Sequence, residues 1–282
     1  MRSFLAALAV ILGLLLSAAA VPAIWVDRNI VQEDGFVALA APLGKDPDFQ
    51  KRLATAAVSS IDTGGTLPPQ VAALVRPVLE RAATSLTGLP EYPAAWEETL
   101  RKSHRLNFAD PASLPPEADS STSLTLDVAP LVALAAKQIS SQVGVPLEAP
   151  GQTLVNIGQT NQRQLIEGVS AYSPLGYSLA VGAGVAFLLA LVTARRRWKV
   201  LSGIGVGALA LSGLWTLASR WAADAVMGTA SGNEMADLFK REFVAASAAG
   251  FASWTLAAAI VGAALVAAGL LARVVGGPAR RR

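Results

Sequence analysis

Four long stretches of the chain contain almost only apolar residues. They run from Phe4 to Val26, from Leu175 to Ala194, from Val200 to Ala218 and within Phe243 to Ala272. An α-helix rises about 1.5 Å per residue, so the roughly 30 Å hydrocarbon core of a bilayer takes about 20 apolar residues to cross. The pattern therefore predicts four transmembrane helices.

Positions 27-174, between the first two apolar stretches, have the pattern of a separate domain. Asp46-Pro47 is typical of an N-cap followed by the first residue of a helix. Further helices are predicted from Pro68 to about Leu86 and from about Pro93 to Leu106. A segment of this length can bury a hydrophobic core of its own.

A small β element is predicted in the second half of this domain. The run Ser123-Leu124-Thr125-Leu126 alternates as a short strand does, and Thr153 to Ile157 resembles a second strand. A helix from about Ala129 to Val143 is predicted between them. The expected fold class is a mainly α membrane protein with a mostly helical extra domain and a two-stranded β element.

The positive charges favour one orientation in the membrane, because Lys and Arg near the ends of spans resist translocation. With a cytoplasmic N-terminus, all 20 acidic residues lie outside. The basic residues left on the inner side are Arg2, Arg195, Arg196, Arg197, Lys199, Arg273, Arg280, Arg281 and Arg282. We expect a multi-pass protein of the plasma membrane with both termini in the cytoplasm, and no nucleic-acid partner is needed to explain the net charge of +3.

Three regions follow from this topology: an N-terminal anchor (1-26), an extracytoplasmic domain (27-174) and a three-helix transmembrane region (175-282). The last region is expected to contain a basic cytoplasmic turn (195-199), an outer amphipathic loop (219-242) and a basic cytoplasmic tail. The outer loop is expected either to lie on the membrane surface or to cap the domain.

The first apolar stretch is interpreted as an uncleaved signal anchor, because its uncharged run is longer than the apolar core of a typical signal peptide. The small residues Ala18-Ala19-Ala20 leave a cleaved signal peptide open as the alternative.

The amino-acid composition excludes several classes of functional site. The chain has no Cys and one His, which excludes disulfides, thiolate metal sites and centres that need two imidazoles. No glycine-rich phosphate-binding motif follows a predicted strand. The carboxylate pairs Glu33/Asp34 and Asp46/Asp48 lack the spacing of a calcium loop. We therefore expect no metal, no cofactor and no catalytic residue.

Three residues of the helix predicted near 93-106 are the candidate interaction or structural positions. His104 is interpreted as a partly buried side chain on the same face as Trp96. Arg101 is expected to form an ion pair with the acidic residue four positions before it. The alternative is an outer-face hydrolase in which His104 acts with Ser103 or Ser121, although no nucleophile motif is present.

Gly203 and Gly207 form a GxxxG pair in the third apolar stretch. Small residues at this spacing allow two helices to approach closely. We interpret the pair as a packing site among the chain's own four helices, with homodimerisation as the alternative.

Three blocks carry a resemblance to known sequences. They are WVDRNIVQEDGFVALAAPLGKDPDFQKRLA, AAWEETLRKSH and SLTLDVAPLVALAAKQI. They resemble a group of uncharacterised actinobacterial integral membrane proteins, in which the second block has the form W-x(4)-R-x(2)-H. The resemblance implies an N-terminal anchor, a mainly helical extracytoplasmic domain and three further transmembrane helices. It implies no activity.

The expected function is that of a non-enzymatic binding or scaffold protein of the cell envelope that acts through its extracytoplasmic domain. Its expected partners are the lipid bilayer and an envelope protein or lipid. The main alternative is a small transport or channel component for a lipid or solute. Against that alternative, none of the predicted spans contains an ionisable residue, which ion-coupled transport usually requires.

Overall fold

A computed structural model describes residues 2–60, 85–108, 125–144, 146, 148–156, 162–228 and 234–276. Most of the helix predicted from Pro68, together with Ser121 and the basic tail at 280-282, lies outside these residues.

The described part is mainly helical, with two short strands. The helices are α1 (Arg2–Val26), α2 (Glu33–Ala40), α3 (Pro47–Ser60), α4 (Tyr92–Phe108), α5 (Ala129–Val143), α6 (Gln162–Tyr172), α7 (Leu175–Thr193), α8 (Arg197–Met227) and α9 (Glu234–Gly276). The strands are β1 (Thr125–Asp127) and β2 (Leu154–Asn156), and a π-helical turn (Asp27–Val31) and a 3-10 helix (Ala41–Lys45) flank α2.

The chain divides into two compact units. The first, which we call the span unit, comprises Met1–Asp27, Ala171–Ala225 and Ser247–Arg282. The second, the helical domain, comprises Arg28–Ser170 and Val226–Ala246. Each unit has its own buried cluster of apolar side chains.

Four helices are long and apolar enough to cross a membrane, as the sequence predicted. These candidate spans run over Arg2–Val31, Ile166–Thr193, Arg197–Met227 and Ala236–Val275. Large hydrophobic side chains are exposed along these helices, as expected where lipid replaces water. Between Arg28 and Gly168, none of the large hydrophobic side chains that the structure describes is exposed. The span unit and this part of the helical domain therefore present surfaces suited to different solvents.

Glycines set the closest helix contacts of the span unit. A Cβ atom added to Gly205 of α8 would lie 2.5 Å from the carbonyl oxygen of Gly262 of α9. In the same way, Gly13 of α1 lies against the ring of Phe187 of α7. The missing side chain lets two backbones approach at Gly205 and makes room for an aromatic ring at Gly13, and small residues give helices close contact in this way where lipid supplies no hydrophobic driving force.

The predicted GxxxG pair does not act as one packing site within the chain. Gly207 packs against the side chain of Leu14 on α1. A Cβ atom added to Gly203 would meet no atom within 4 Å. The α8/α9 contact instead uses Gly205, which lies between the two predicted positions and on another face of the helix.

The core of the helical domain is an aromatic cluster. Its buried members are Val37, Ala40, Phe49, Leu53, Tyr92, Trp96, Leu100, Leu238 and Phe239. They come from α2, α3, α4 and the first part of α9, so residues far apart in sequence close one core. Since the chain has no Cys, this packing stabilises the domain without any disulfide.

Local signals in the domain act largely as the sequence predicted. The Asp46 side chain accepts hydrogen bonds from the backbone N–H groups of Asp48 and Phe49, at 2.8 and 3.2 Å, and so caps α3. The predicted strand-helix-strand element is present: β1 pairs antiparallel with β2, with Leu126 opposite Val155. Gly144, with φ of 73°, ends α5 in the left-handed conformation that favours glycine.

The predicted outer loop at 219-242 differs from the structure. Helix α8 continues to Met227 and α9 begins at Glu234, so most of this segment is helical. The 43 residues of α9 extend about 65 Å, roughly twice the hydrocarbon thickness of a bilayer. Its first turns bury Leu238 and Phe239 in the core of the domain. Of the two alternatives, these contacts agree with a cap on the domain.

Replacing Gly205 with Ala should destabilise the span unit. The added Cβ would meet backbone atoms of Gly262 and Val266, which cannot rotate away. We expect a loss of about 1–3 kcal/mol, the usual cost of overpacking, seen as a lower melting temperature of the detergent-solubilised chain.

Gly203→Ala is the matched control on the same helix. Its new methyl group meets open space, and Ala is favoured over Gly in a helix by up to about 1 kcal/mol. A Gly205→Ala protein that melts at or above the wild-type temperature would contradict the proposed contact.

Candidate functional site

Helix α4 carries the three residues singled out from the sequence. One face of the helix is buried at nearly every turn, through Tyr92, Trp96, Leu100 and His104. These positions repeat at intervals of four, as expected for a helix that packs along one side. Burial also raises the pKa of Tyr92 to about 12, so its hydroxyl stays protonated at physiological pH.

Trp96 is the centre of this face. Its side chain is fully buried, and its indole N–H donates a hydrogen bond of 3.0 Å to the carbonyl oxygen of Ala40. The ring of Phe49 meets it edge-on, with 5.4 Å between centroids. Gly44 lies directly against the indole ring, where any side chain would collide with it. The prediction that Trp96 and His104 share a buried face is correct.

His104 lies two turns further along and is also buried, with 5% of its surface exposed. Its Nε2 lies 3.0 Å from the carbonyl oxygen of Ile30. A carbonyl oxygen only accepts hydrogen bonds, so Nε2 must carry the proton and donate it. The imidazole stacks on Phe108 at 4.2 Å between centroids and contacts Phe36 at 5.1 Å. His104 thus caps a carbonyl at the end of the π-helical turn.

The electrostatic surroundings of His104 favour its neutral form. Burial lowers the pKa of His104, because the charged imidazolium would lose its hydration. The hydrogen bond to Ile30 and the negative charge of Glu33 act in the opposite direction, and Arg105 adds to the lowering. We call this group of residues (Ile30, Glu33, Phe36, His104, Phe108) the His104 junction.

An ion pair lies at the edge of the His104 junction. The Arg105 guanidinium donates two hydrogen bonds to the two carboxylate oxygens of Glu33, at 2.9 and 3.1 Å. This hydrogen bond lowers the pKa of Glu33. From the sequence, the pair Glu33/Asp34 is rejected as a cation site, and the structure pairs Glu33 with an arginine 72 residues away.

Arg101 occupies the outer side of α4. Its guanidinium lies 3.6 Å from the carboxylate of Glu97, at the predicted spacing of four residues. A second carboxylate, that of Glu98, is 4.0 Å away. The predicted ion pair is confirmed. Partly exposed pairs of this kind contribute little to stability.

A polar network that the sequence did not reveal joins α4 to the strands. Ser103 Oγ donates to the carbonyl oxygen of Thr99 at 2.6 Å and accepts from the backbone N–H of Asp127 at 2.9 Å. Asn107 exchanges two hydrogen bonds with the backbone of Thr125. The Asp127 carboxylate in turn accepts from the N–H groups that begin α5 and precede β2. One feature of the sequence indicates this network: Asp127 lies two residues before the Ala-Pro pair that begins α5.

These contacts contradict the pairing of Ser103 with His104 in a hydrolytic site. Ser103 Oγ is held between two backbone groups, and the His104 N–H is held by Ile30. A serine nucleophile needs its hydroxyl hydrogen-bonded to the imidazole. The described residues also contain no group of three His, Asp or Glu side chains that could hold a metal ion.

The span unit contains one buried acidic residue that the sequence reading placed outside the spans. Asp27 is 5% exposed, and its carboxylate accepts hydrogen bonds of 3.1 Å from the hydroxyl groups of Ser173 and Tyr177. These contacts join the end of α1 to the start of α7. An ionisable residue at the end of a span is a reason to consider function as well as packing.

The stability of the fold should decrease as the pH is lowered through and below the ordinary pKa of histidine, 6.5. The unfolded chain binds a proton at His104 near pH 6.5, while the folded chain binds it only at lower pH. Stability is therefore complete above pH 6.5 and is lost as the pH falls towards the folded pKa, at about 1.4 kcal/mol per pH unit. Thermal unfolding of the solubilised chain, followed at several pH values across this range, measures the loss of stability.

His104→Gln is the control, since it keeps an N–H donor but does not titrate. The chain has no other His. The pKa of Glu33 is lowered from 4.5, so the titration of Glu33 changes stability only in more acidic solutions. We expect the variant to melt at a nearly constant temperature over the range. An equal pH dependence in both proteins would contradict the assignment.

No protein-family model, curated protein or solved structure matches this chain. The resemblance to actinobacterial membrane proteins therefore stays a prediction, and a function has to be inferred from the chain's own residues.

Proposed function

We propose that this protein is a non-enzymatic binding or scaffold protein of the cell envelope, which holds the helical domain at the membrane for recognition of an envelope protein or lipid. The observation that carries the proposal is the contrast between the two surfaces. Exposed large hydrophobic side chains follow the four apolar helices, whereas the described surface from Arg28 to Gly168 has none. A water-facing domain carried by membrane helices is the arrangement of an anchored recognition module.

The polar groups of the domain support recognition rather than chemistry. Ser103, His104 and Asp127 are buried, and each is hydrogen-bonded to backbone groups. Their role in the described structure is to hold α4 against its neighbours. The groups left at the surface are mainly charged and form pairs of mixed sign. These pairs are Arg52–Glu242, Arg101–Glu97, Arg105–Glu33 and Lys240–Asp237. Surface charges of this kind give a binding face its specificity and its rate of association.

The orientation is part of the proposal: both termini in the cytoplasm and the helical domain outside, because the basic residues concentrate at one set of helix ends. The absence of native Cys allows a direct test by single-cysteine labelling. A membrane-impermeant maleimide should label Asp34→Cys in intact cells and should label Arg196→Cys only after lysis. Both native side chains are exposed, so access to the side chain is matched. The reverse pattern would overturn the orientation.

The recognition function is tested by photocrosslinking in intact cells. Photoreactive residues replace exposed Asp34, Lys51 and Glu91 of the domain, and Leu188 on the exposed side of α7 is the control. We expect the same protein or the same envelope lipid to be captured from at least two domain positions. Leu188 should give adducts with bulk membrane lipids only.

Equal adducts from Leu188 and from the domain positions would argue against a recognition surface. Failure of all three domain positions to capture anything, in a chain that still melts cooperatively, would have the same meaning.

One observation favours a transport or channel component as the second candidate. Asp27 is a buried carboxylate in the span unit, held by two hydroxyl groups. Buried carboxylates in membrane helices often mark the path of an ion or proton. Proteoliposomes containing the chain should then show a proton or cation flux that Asp27→Asn abolishes. A flux equal to that of empty vesicles would leave Asp27 with its structural role alone.

A further inference from the structure

Four helix ends meet at one end of the span unit. Ala6 of α1, Ala190 of α7 and Ile204 of α8 form a buried cluster, and Leu265 of α9 packs against it. Because these residues lie near the start of α1, the end of α7, the start of α8 and the end of α9, the same four termini are neighbours. We call this region the basic end.

The charged residues described at the basic end are all positive and all exposed. They are Arg2, Arg195, Arg196, Arg197, Lys199 and Arg273. The acidic residues of the span unit, Asp27 and Asp224, belong to the opposite helix ends. Asp224 is separated from Lys199 by 25 positions of α8, about 38 Å along the helix. That distance is several times the Debye length at physiological salt, so no acidic group of this unit neutralises the basic end.

Two of these cations, one from α8 and one from α9, lie beside the ring of Trp198. The Lys199 Nζ lies 5.6 Å from the centroid of the Trp198 ring, and the Arg273 guanidinium carbon lies 5.1 Å from it. The two charges are therefore no more than about 11 Å apart. Two cations beside one ring create a positive potential that attracts an anion. A phosphate group suits the place, because Arg offers a forked pair of N–H donors and Lys a compact charge.

The surroundings indicate that the anion is attached to a lipid. Large apolar side chains are exposed on the same helix ends, namely Phe4 on α1, Val192 on α7, and Leu271 and Val275 on α9. They offer a surface to acyl chains directly beside the cations. A half-buried Trp is typical of the depth at which lipid head groups meet the hydrocarbon core.

We propose that the basic end is a binding site for the head group of an anionic phospholipid, with its phosphate between Arg273 and Lys199 and beside the Trp198 ring. The site is separate from the helical domain and does not depend on what that domain recognises. Basic pockets between transmembrane helices are a known mode of anionic-lipid recognition.

The test uses the full chain in a neutral detergent and two fluorescent lipids with identical chains, phosphatidylglycerol and phosphatidylcholine. Phosphatidylglycerol should bind roughly tenfold more tightly, and the preference should weaken as salt is added. The Lys199→Gln/Arg273→Gln double variant should lose the preference. The charge-conserving Lys199→Arg/Arg273→Lys variant should keep most of it at an unchanged melting temperature.

Arg220→Gln is the matched control, since Arg220 is an exposed cation towards the opposite end of α8. It should leave the preference unchanged, and an equal loss in this variant would show a net-charge effect and overturn the site. A preference that survives in the Lys199→Gln/Arg273→Gln variant would overturn it as well. Soluble glycerol phosphate that binds as tightly as the lipid would replace the lipid assignment with a free-phosphate site.

Discussion

The helical domain depends on the burial of one indole ring. Trp96 is fully enclosed, donates its N–H to the carbonyl oxygen of Ala40, and packs against Phe49 and Phe239. These contacts bring α2, α3, α4 and the start of α9 to the same point. A large aromatic residue contributes more buried area than any other kind, and its N–H must find an acceptor when it is buried. In a domain without disulfides, that combination sets both the stability and the register of the surrounding helices.

The span unit uses a different kind of contact. Lipid is as apolar as a leucine side chain, so burying apolar surface between the helices gains little there. The helices instead approach through glycine, as at Gly205 and Gly262, and through single polar bonds such as that from Trp215 to the carbonyl oxygen of Ala18. The same chain therefore carries a domain stabilised by removing apolar groups from water and a bundle stabilised by close fit. This difference explains why most of the exposed large hydrophobic side chains belong to the span unit.

Periodicity and capping signals predicted most of the elements in the described part. The four apolar helices, the Asp46 cap, the helix around Trp96 and the β1-α5-β2 element all follow from local patterns. Such signals act over a few residues and need no partner. The predicted end of α8 and the predicted start of α9 were wrong, because α8 continues to Met227 and α9 begins at Glu234. A polar stretch between spans resembles a loop until it is known that Leu238 and Phe239 enter a core formed far away in sequence.

The sequence by itself determined the four helices long and apolar enough to cross a membrane, their positions and the charge asymmetry of their ends, because these depend on composition and on spacing along one element. Tertiary structure decided which groups meet. The choice of Gly205 over Gly203, the hydrogen bond of His104 to Ile30, the pairing of Arg105 with Glu33 and the two cations on Trp198 all join separate elements. Local periodicity states which face of a helix is apolar. It carries no information on the partner across the contact, and the candidate sites of this protein are made of such contacts.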